Sequence, residues 1–120
     1  MSARAALGLI RDLFFRSKLD AVAESAGVDL FYASDLDAAA AQCARNQPFL
    51  VLVDLSDAAF PAAATVERIR ASVPAARIIG FASHIDLKPL RAARDAGFEA
   101  ALSRSEFTAK LPELLRLRSE

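Results

Sequence analysis

The chain has 120 residues, and its 15 lysines and arginines balance 15 aspartates and glutamates, so the formal net charge is zero. A domain that binds nucleic acid normally carries a basic excess, and this balance argues against such a partner. Hydrophobic residues make up 54% of the chain, enough for one domain to bury a core without disulfides or metals.

Neither a membrane span nor a secretory signal is indicated. No apolar stretch approaches the roughly 20 residues that a spanning helix needs. The first segment, MSARAALGLIRDLFF, is interrupted by Arg11 and Asp12 and has no small-residue cleavage site after it. The single cysteine, Cys43, cannot form an intramolecular disulfide, and its Ala-rich surroundings predict a helix in which the thiol is packed inside. We therefore expect a cytoplasmic protein without a membrane partner.

Strand-like and helix-like segments alternate from the start of the chain. An apolar run over residues 5–10 predicts the first strand. Over residues 12–26 the apolar positions are spaced by four, three and four residues, which is one face of a helix that ends at Gly27. Residues 28–34 predict a second strand, and Asp35 can cap the helix that follows.

The middle of the chain holds its most strand-like segment, FLVLVD over residues 49–54. Its unbroken apolar run is typical of a strand that is covered on both faces, as in a parallel sheet. Pro61 stands where a third helix begins, and that helix stops near Pro74. Residues 76–83 predict a fourth strand.

In the last third, Asp86 can cap a fourth helix that ends at Gly97, residues 99–103 predict a fifth strand, and residues 108–118 predict a last helix. Strands that alternate with helices indicate an α/β fold, with a parallel sheet, helices on both faces and right-handed crossovers. Chemistry in such sheets gathers at the carboxyl ends of the strands, so Asp54 is the first candidate site residue.

Two segments resemble the receiver domain of bacterial two-component response regulators. VLVDLS, residues 51–56, matches the strand that carries the family's phospho-accepting aspartate. ARDAGFEAALSRSEF, residues 93–107, matches its fourth helix, its fifth strand and the basic residue that follows. The resemblance implies one flavodoxin-like domain over residues 1–120 with no output domain. Its doubly wound parallel sheet would have five strands in the order 2-1-3-4-5, flanked by five helices.

The resemblance also implies a pocket, in which Asp54 takes the place of the phosphoacceptor and Arg104 that of the family's lysine. Phosphoryl transfer to a carboxylate needs a cation between negative charges, and the family holds Mg²⁺ with an acidic pair after the first strand. An ungapped count puts Ile10 and Arg11 at that pair, with Asp12 one step beyond. Asp12 and Asp54 would then hold magnesium only in a functional pocket, and no other cofactor is expected.

Three further positions depart from the family pattern. The hydroxyl residue that ends the fourth strand falls on Ala82, with Ser83 adjacent, and the switch aromatic of the fifth strand falls on Ala101. Ser105 stands where the family usually has a proline. At Arg104, a guanidinium stands in place of the ammonium group of the family's lysine. It is bulkier and prefers contacts in a planar, forked geometry.

These departures describe an atypical, degenerate receiver, and they motivate a hypothesis about the pocket. Arg11 or Arg104 would pair with Asp54, replace the charge of the metal and fix one conformation. The alternative is that Asp54 only caps the next turn.

The function expected from this resemblance is a non-enzymatic signalling module that acts by protein–protein contact, independently of phosphorylation. One alternative is a functional phospho-receiver that uses Asp54 with Asp12 and Ser83. A second alternative, a small hydrolase, is suggested by Ser83, His84 and Asp86.

The partner would be another signalling protein or a second copy of the chain. The family's common docking face is formed by helix four, strand five and helix five. Here it would offer a mixed-charge surface: Lys88, Arg91, Arg94, Asp95 and Glu113. Phe14 and Phe15 cannot both face the core, so either Phe14 or Leu13 is expected to be exposed as a contact patch.

Overall fold

Five parallel strands form a single sheet in the computed structural model, which describes residues 4–82 and 87–116. The elements in chain order are β1 (Arg4–Leu9), α1 (Leu13–Ala26), β2 (Val28–Tyr32), α2 (Leu36–Asn46), β3 (Leu50–Asp54), α3 (Ala62–Ser72), β4 (Arg77–Ala82), α4 (Leu87–Ala96), β5 (Ala100–Ser103) and α5 (Arg104–Arg116). The strand order is β2-β1-β3-β4-β5. The predicted doubly wound α/β fold and its strand order are confirmed.

The two faces of the sheet are covered by different helices. Successive side chains of a strand point to opposite faces. Val51 and Val53 of β3 therefore join the core beneath α2, α3 and α4, whereas Leu50 and Leu52 join the core beneath α1 and α5. All four are fully buried, which confirms that β3 is covered on both faces. Cys43 is buried on the α2 side, as predicted.

Caps that the sequence indicates define the helices on either side of β2. The Asp12 carboxylate accepts a hydrogen bond from the Phe15 N–H at 3.2 Å, so α1 begins after Asp12. The Asp35 carboxylate accepts one from the Ala38 N–H at 2.7 Å and caps α2 as predicted. Gly27 ends α1 with a φ of 70°, a left-handed conformation that suits glycine.

The last helix begins four residues earlier than predicted, at Arg104 instead of residue 108. The reason is a capping box that the sequence analysis missed. The Ser103 hydroxyl accepts from the Glu106 N–H, and the Glu106 carboxylate accepts from the Ser103 N–H, both at 3.2 Å. The predicted cap at Asp86 lies outside the described residues.

Gly80 lets the segment after β3 pack closely on β4. A Cβ atom at Gly80 would lie 2.6 Å from Leu55 Cδ1 and 2.9 Å from Phe98 Cδ2, closer than packed carbon atoms approach. None of the helices in the described part of the chain is long and apolar enough to cross a membrane.

Candidate functional site

An open cleft lies at the carboxyl ends of β1 and β3. Its walls come from the turn between β1 and α1 and from the end of β3 with the residues after it. The lining residues are Arg11, Asp12, Asp54, Ser56, Asp57 and Ala58. Three carboxylates and one guanidinium therefore face the same small space.

Asp54 is half-buried at the centre of this cleft. Its Oδ1 accepts a hydrogen bond from the Ser56 N–H at 2.9 Å, which closes a tight turn after the strand. Burial raises the pKa of the Asp54 carboxyl above its ordinary value. The Ser56 N–H and the charge of Arg104 oppose that rise, and the charges of Asp57 and Asp12 add to it.

Arg11 forms a bidentate ion pair with Asp57 across the mouth of the cleft. The Arg11 Nε lies 2.7 Å from Oδ2 of Asp57, and its Nη2 lies 2.9 Å from Oδ1. The same carboxylate accepts the Ala59 N–H at 2.9 Å, and only 11% of the Asp57 side chain is exposed. Burial disfavours the charged form of Asp57, but the hydrogen bonds from Arg11 and Ala59 outweigh it and lower the pKa.

Arg104 lies next to the lining residue Asp12, at the inner corner of the cleft, and is held in a different way. Its Nη2 lies 3.5 Å from Oδ2 of Asp12, a loose contact. Its guanidinium carbon lies 4.3 Å from the centre of the Phe15 ring and 5.9 Å from that of Phe81. Phe81 in turn stacks on Phe107 with ring centres 4.4 Å apart. The Arg104 guanidinium thus packs on the rings of Phe15 and Phe81, an aromatic bed that is part of the core.

The hydrogen bond from the Phe15 N–H lowers the pKa of Asp12, and Arg104 lowers it further.

The prediction that Arg11 or Arg104 pairs with Asp54 is wrong. Neither arginine forms an ion pair with it: Arg11 pairs with Asp57, and Arg104 with Asp12. The physical reason is the tight turn, which points Asp54 at the Ser56 N–H and brings Asp57 to the cleft mouth. Asp54 makes the contact described by the alternative, a cap on the next turn. The sequence analysis missed Asp57, whose signal is the second acid of DLSD, residues 54–57.

Of Ile10 and Arg11, which the ungapped count places at the acidic pair, only Arg11 lines the cleft. Ile10 is fully buried against α1 and α5, so it cannot reach the cleft. Arg11 and Asp12 are the two side chains that enter the cleft after β1. An arginine and an aspartate therefore line the cleft after β1, where the resemblance implies two acids.

No family model matches this sequence, and no curated protein matches it. Solved structures do match over almost the whole chain. One is a response regulator from Thermotoga maritima, with a TM-score of 0.79 at 16% identity, which covers 96% of both chains. Another is a CheY-like response regulator receiver domain protein from Methanospirillum hungatei, with a TM-score of 0.77 at 17% identity, which covers 95% of this chain and 94% of that one.

A third is a response regulator protein from Burkholderia pseudomallei, with a TM-score of 0.77 at 18% identity, which covers 97% of this chain and 67% of that one. It is described with a phosphorylated aspartic acid, a calcium ion and citrate. The chain has the receiver fold. At these identities the likeness concerns the fold alone.

Two positions by which the receiver resemblance defines the pocket and its switch carry alanine here. Ala82 is buried at the end of β4 and brings a methyl group to that position, and Ala101 on β5 is also buried. Ser105 is exposed in the first turn of α5. Ser83, His84 and Asp86 lie outside the described residues.

A magnesium ion fits this version of the receiver cleft poorly. Magnesium needs oxygen ligands with uncompensated charge, but Asp57 and Asp12 already face guanidinium groups. Within residues 4–82 and 87–116, no group of three histidine, cysteine, aspartate or glutamate side chains is suited to hold a metal ion.

Two surfaces of the receiver fold are open to a partner. Leu13 is 73% exposed and Phe14 is 87% exposed in the first turn of α1, so both are exposed where one was expected. The predicted docking face is also exposed at each of its charged positions: Lys88, Arg91, Arg94, Asp95 and Glu113.

Proposed function

We propose that the protein is a receiver-like signalling module that acts through contacts with another protein and does not depend on phosphorylation. One observation carries this proposal: the two acids that flank Asp54 in the cleft are each paired with an arginine of the same chain, Asp57 with Arg11 and Asp12 with Arg104.

The charge balance of the cleft supports independence from phosphorylation. A phosphoryl group on Asp54 would add negative charge beside Asp12 and Asp57, and a metal ion is the usual means of neutralising it. Here the internal arginines already supply positive charge, and Ala82 offers no hydroxyl to a phosphoryl oxygen. The Arg11–Asp57 pair also joins the two loops of the cleft.

Exposed surface supports action through protein contacts. Leu13 and Phe14 place two large apolar side chains in water, which costs solvation free energy unless a partner covers them. The α4–β5–α5 face adds a mixed-charge surface suited to a transient partner. That partner would be another signalling protein or a second copy of the chain.

A functional phospho-receiver is the second candidate. Its supporting observation is that the Asp54 carboxylate is at the carboxyl end of β3 in an open cleft, where a small phosphodonor has access. It would use Asp12 and Ser83 beside Asp54. A small hydrolase has no comparable support, and we propose no enzymatic role.

Intact-mass spectrometry after incubation with acetyl phosphate and Mg²⁺ separates the two candidates. Asp54→Asn serves as the control because asparagine cannot accept the phosphoryl group. The proposed function predicts that the wild-type mass stays unchanged. A phosphoryl adduct on the wild-type protein that is absent from the variant would overturn it and support the phospho-receiver.

A further inference from the structure

We infer that Arg11 is a built-in cation that excludes divalent metal from the cleft, so that this one side chain sets the metal response of the module. This inference rests on the function proposed above and deepens it, because it names the residue that controls the site.

The geometry of the pair gives Arg11 an advantage over a metal ion in solution. To bind Asp57, a metal must break two charge-assisted hydrogen bonds of 2.7 Å and 2.9 Å, which belong to the strong class of such contacts. The carboxylate is mostly shielded from water, so the pair is screened less than one on an open surface. Because Arg11 is part of the chain, its effective concentration at Asp57 does not fall on dilution.

Removal of Arg11 would leave the Asp57 carboxylate without its counter-charge. Asp12, Asp54 and Asp57 line the same cleft. Asp12 and Asp57 are close enough to Asp54 to raise its pKa by charge repulsion. Mg²⁺ usually keeps several of its waters and binds only one or two protein carboxylates, so Asp57 and one neighbouring acid would suffice, and the bound cation would relieve the repulsion.

Arg104 opposes a bound metal ion less strongly than Arg11 does. It approaches Asp12 only at 3.5 Å and is held mainly by the rings of Phe15 and Phe81. Its removal would leave the Arg11–Asp57 pair in place. Arg104→Ala is therefore a matched control, since it removes a guanidinium next to the cleft without opening Asp57.

The test is a Mg²⁺ titration at constant ionic strength, followed by amide NMR, of wild type, Arg11→Ala, Arg104→Ala and the double variant Arg11→Ala/Asp57→Asn. We expect Arg11→Ala to bind Mg²⁺ roughly tenfold or more tightly than wild type, because a charge at contact distance is removed. Shifts should cluster at residues 12, 54 and 57. Arg104→Ala should gain less than Arg11→Ala, and the double variant should lose the gain.

Thermal melts establish that each variant is folded, and Arg11→Gln, which keeps most of the side-chain length, repeats the test if Arg11→Ala is unstable. Arg11→Ala or Arg11→Gln binding that is no tighter than wild type would overturn the inference and leave the proposed function intact. An equal gain in Arg104→Ala would overturn it too, because any lost charge would then suffice. A phosphoryl adduct on wild type would overturn the proposed function and, with it, the exclusion of metal from the wild-type cleft, whereas a failed titration without an adduct would overturn the inference alone.

Discussion

At the outer edge of the cleft, which is its mouth, and at the inner corner, an arginine lies beside an aspartate. Different contacts hold each arginine in place. At the outer edge, Arg11 donates two short hydrogen bonds to the shielded carboxylate of Asp57, although 54% of the Arg11 side chain is exposed. At the inner corner, Arg104 makes a loose contact with Asp12 and takes its position from an aromatic bed. The outer pair depends on two side chains, whereas the inner one depends on the core.

This difference determines what each substitution should do. Changes at the outer edge should alter the local turn and leave the core unchanged. Changes beneath the inner corner should lower global stability and release Arg104 at the same time.

The largest effect is expected beneath the inner corner, from Phe81→Ala. The Phe81 ring is fully buried, contacts Phe15 and Phe107, and lies under the Arg104 guanidinium. Its loss should lower the free energy of unfolding by about 3–5 kcal/mol, as measured by urea denaturation. Leu13→Ala is the control and should change it by about 0.5 kcal/mol or less. Similar losses in the two variants would show that the Phe81 ring does not support the core beneath Arg104.

The next effect is expected at the outer edge, from Asp57→Ala. This change removes the acceptor for Arg11 and for the Ala59 N–H. We expect a loss of about 1–2 kcal/mol in the free energy of unfolding, and Asp95→Ala, at an exposed position of α4, should show almost none. In a double-mutant cycle, Arg11→Ala should add little once Asp57 is absent. Additive losses would mean that the pair is not a unit.

A smaller effect should separate the roles of charge and packing at Arg104. Arg104→Met keeps an apolar stem over Phe15 but loses the cation–π contact, which is worth about 0.5–1 kcal/mol at a partly exposed site. Chemical denaturation of Arg104→Met and Arg104→Lys measures this contribution. The lysine variant should lose less than the methionine variant, and the opposite order would contradict a role for the charge.

The smallest effect is expected between the two regions, from Asp54→Asn. Because burial raises the pKa of Asp54 in the folded state, its charged form is disfavoured there. Its protonation therefore favours the fold at low pH, and this contribution is lost as the pH rises through the raised pKa. Asparagine can still accept the Ser56 N–H, so the variant should melt slightly higher than wild type at neutral pH.

That advantage should shrink as the pH falls through the same range. Asp29→Asn, at an exposed position of β2, is the control for a general loss of charge. A lower melting temperature for Asp54→Asn at neutral pH would show that the Asp54 charge stabilises the fold.

The sequence predicted the scaffold well because periodicity and capping are local. The unbroken apolar run of β3 and the acid at Asp35 each act within a few residues, and both predictions are confirmed. The start of α5 was wrong only because the Ser103–Glu106 capping box was overlooked, although its signal is local too.

The cleft was harder to predict because its contacts join distant segments. Arg11 and Asp57 are 46 positions apart, and their pairing depends on how the turn after β3 presents each acid. Alignment to a family pattern drew attention to Asp54, where that pattern has its functional aspartate. That pattern assigns no role to Asp57, and no sequence periodicity indicates the position of Arg104 over Phe15.

The most direct measurement is an amide NMR titration of the wild-type protein with Mg²⁺ and then with beryllofluoride, a stable mimic of an aspartyl phosphate. If the arginines complete the cleft, the resonances of residues 12, 54, 57 and 104 should stay in place, as they should in Asp54→Asn. Saturable shifts at those residues in wild type that Asp54→Asn abolishes would contradict this account and identify a working phospho-receiver.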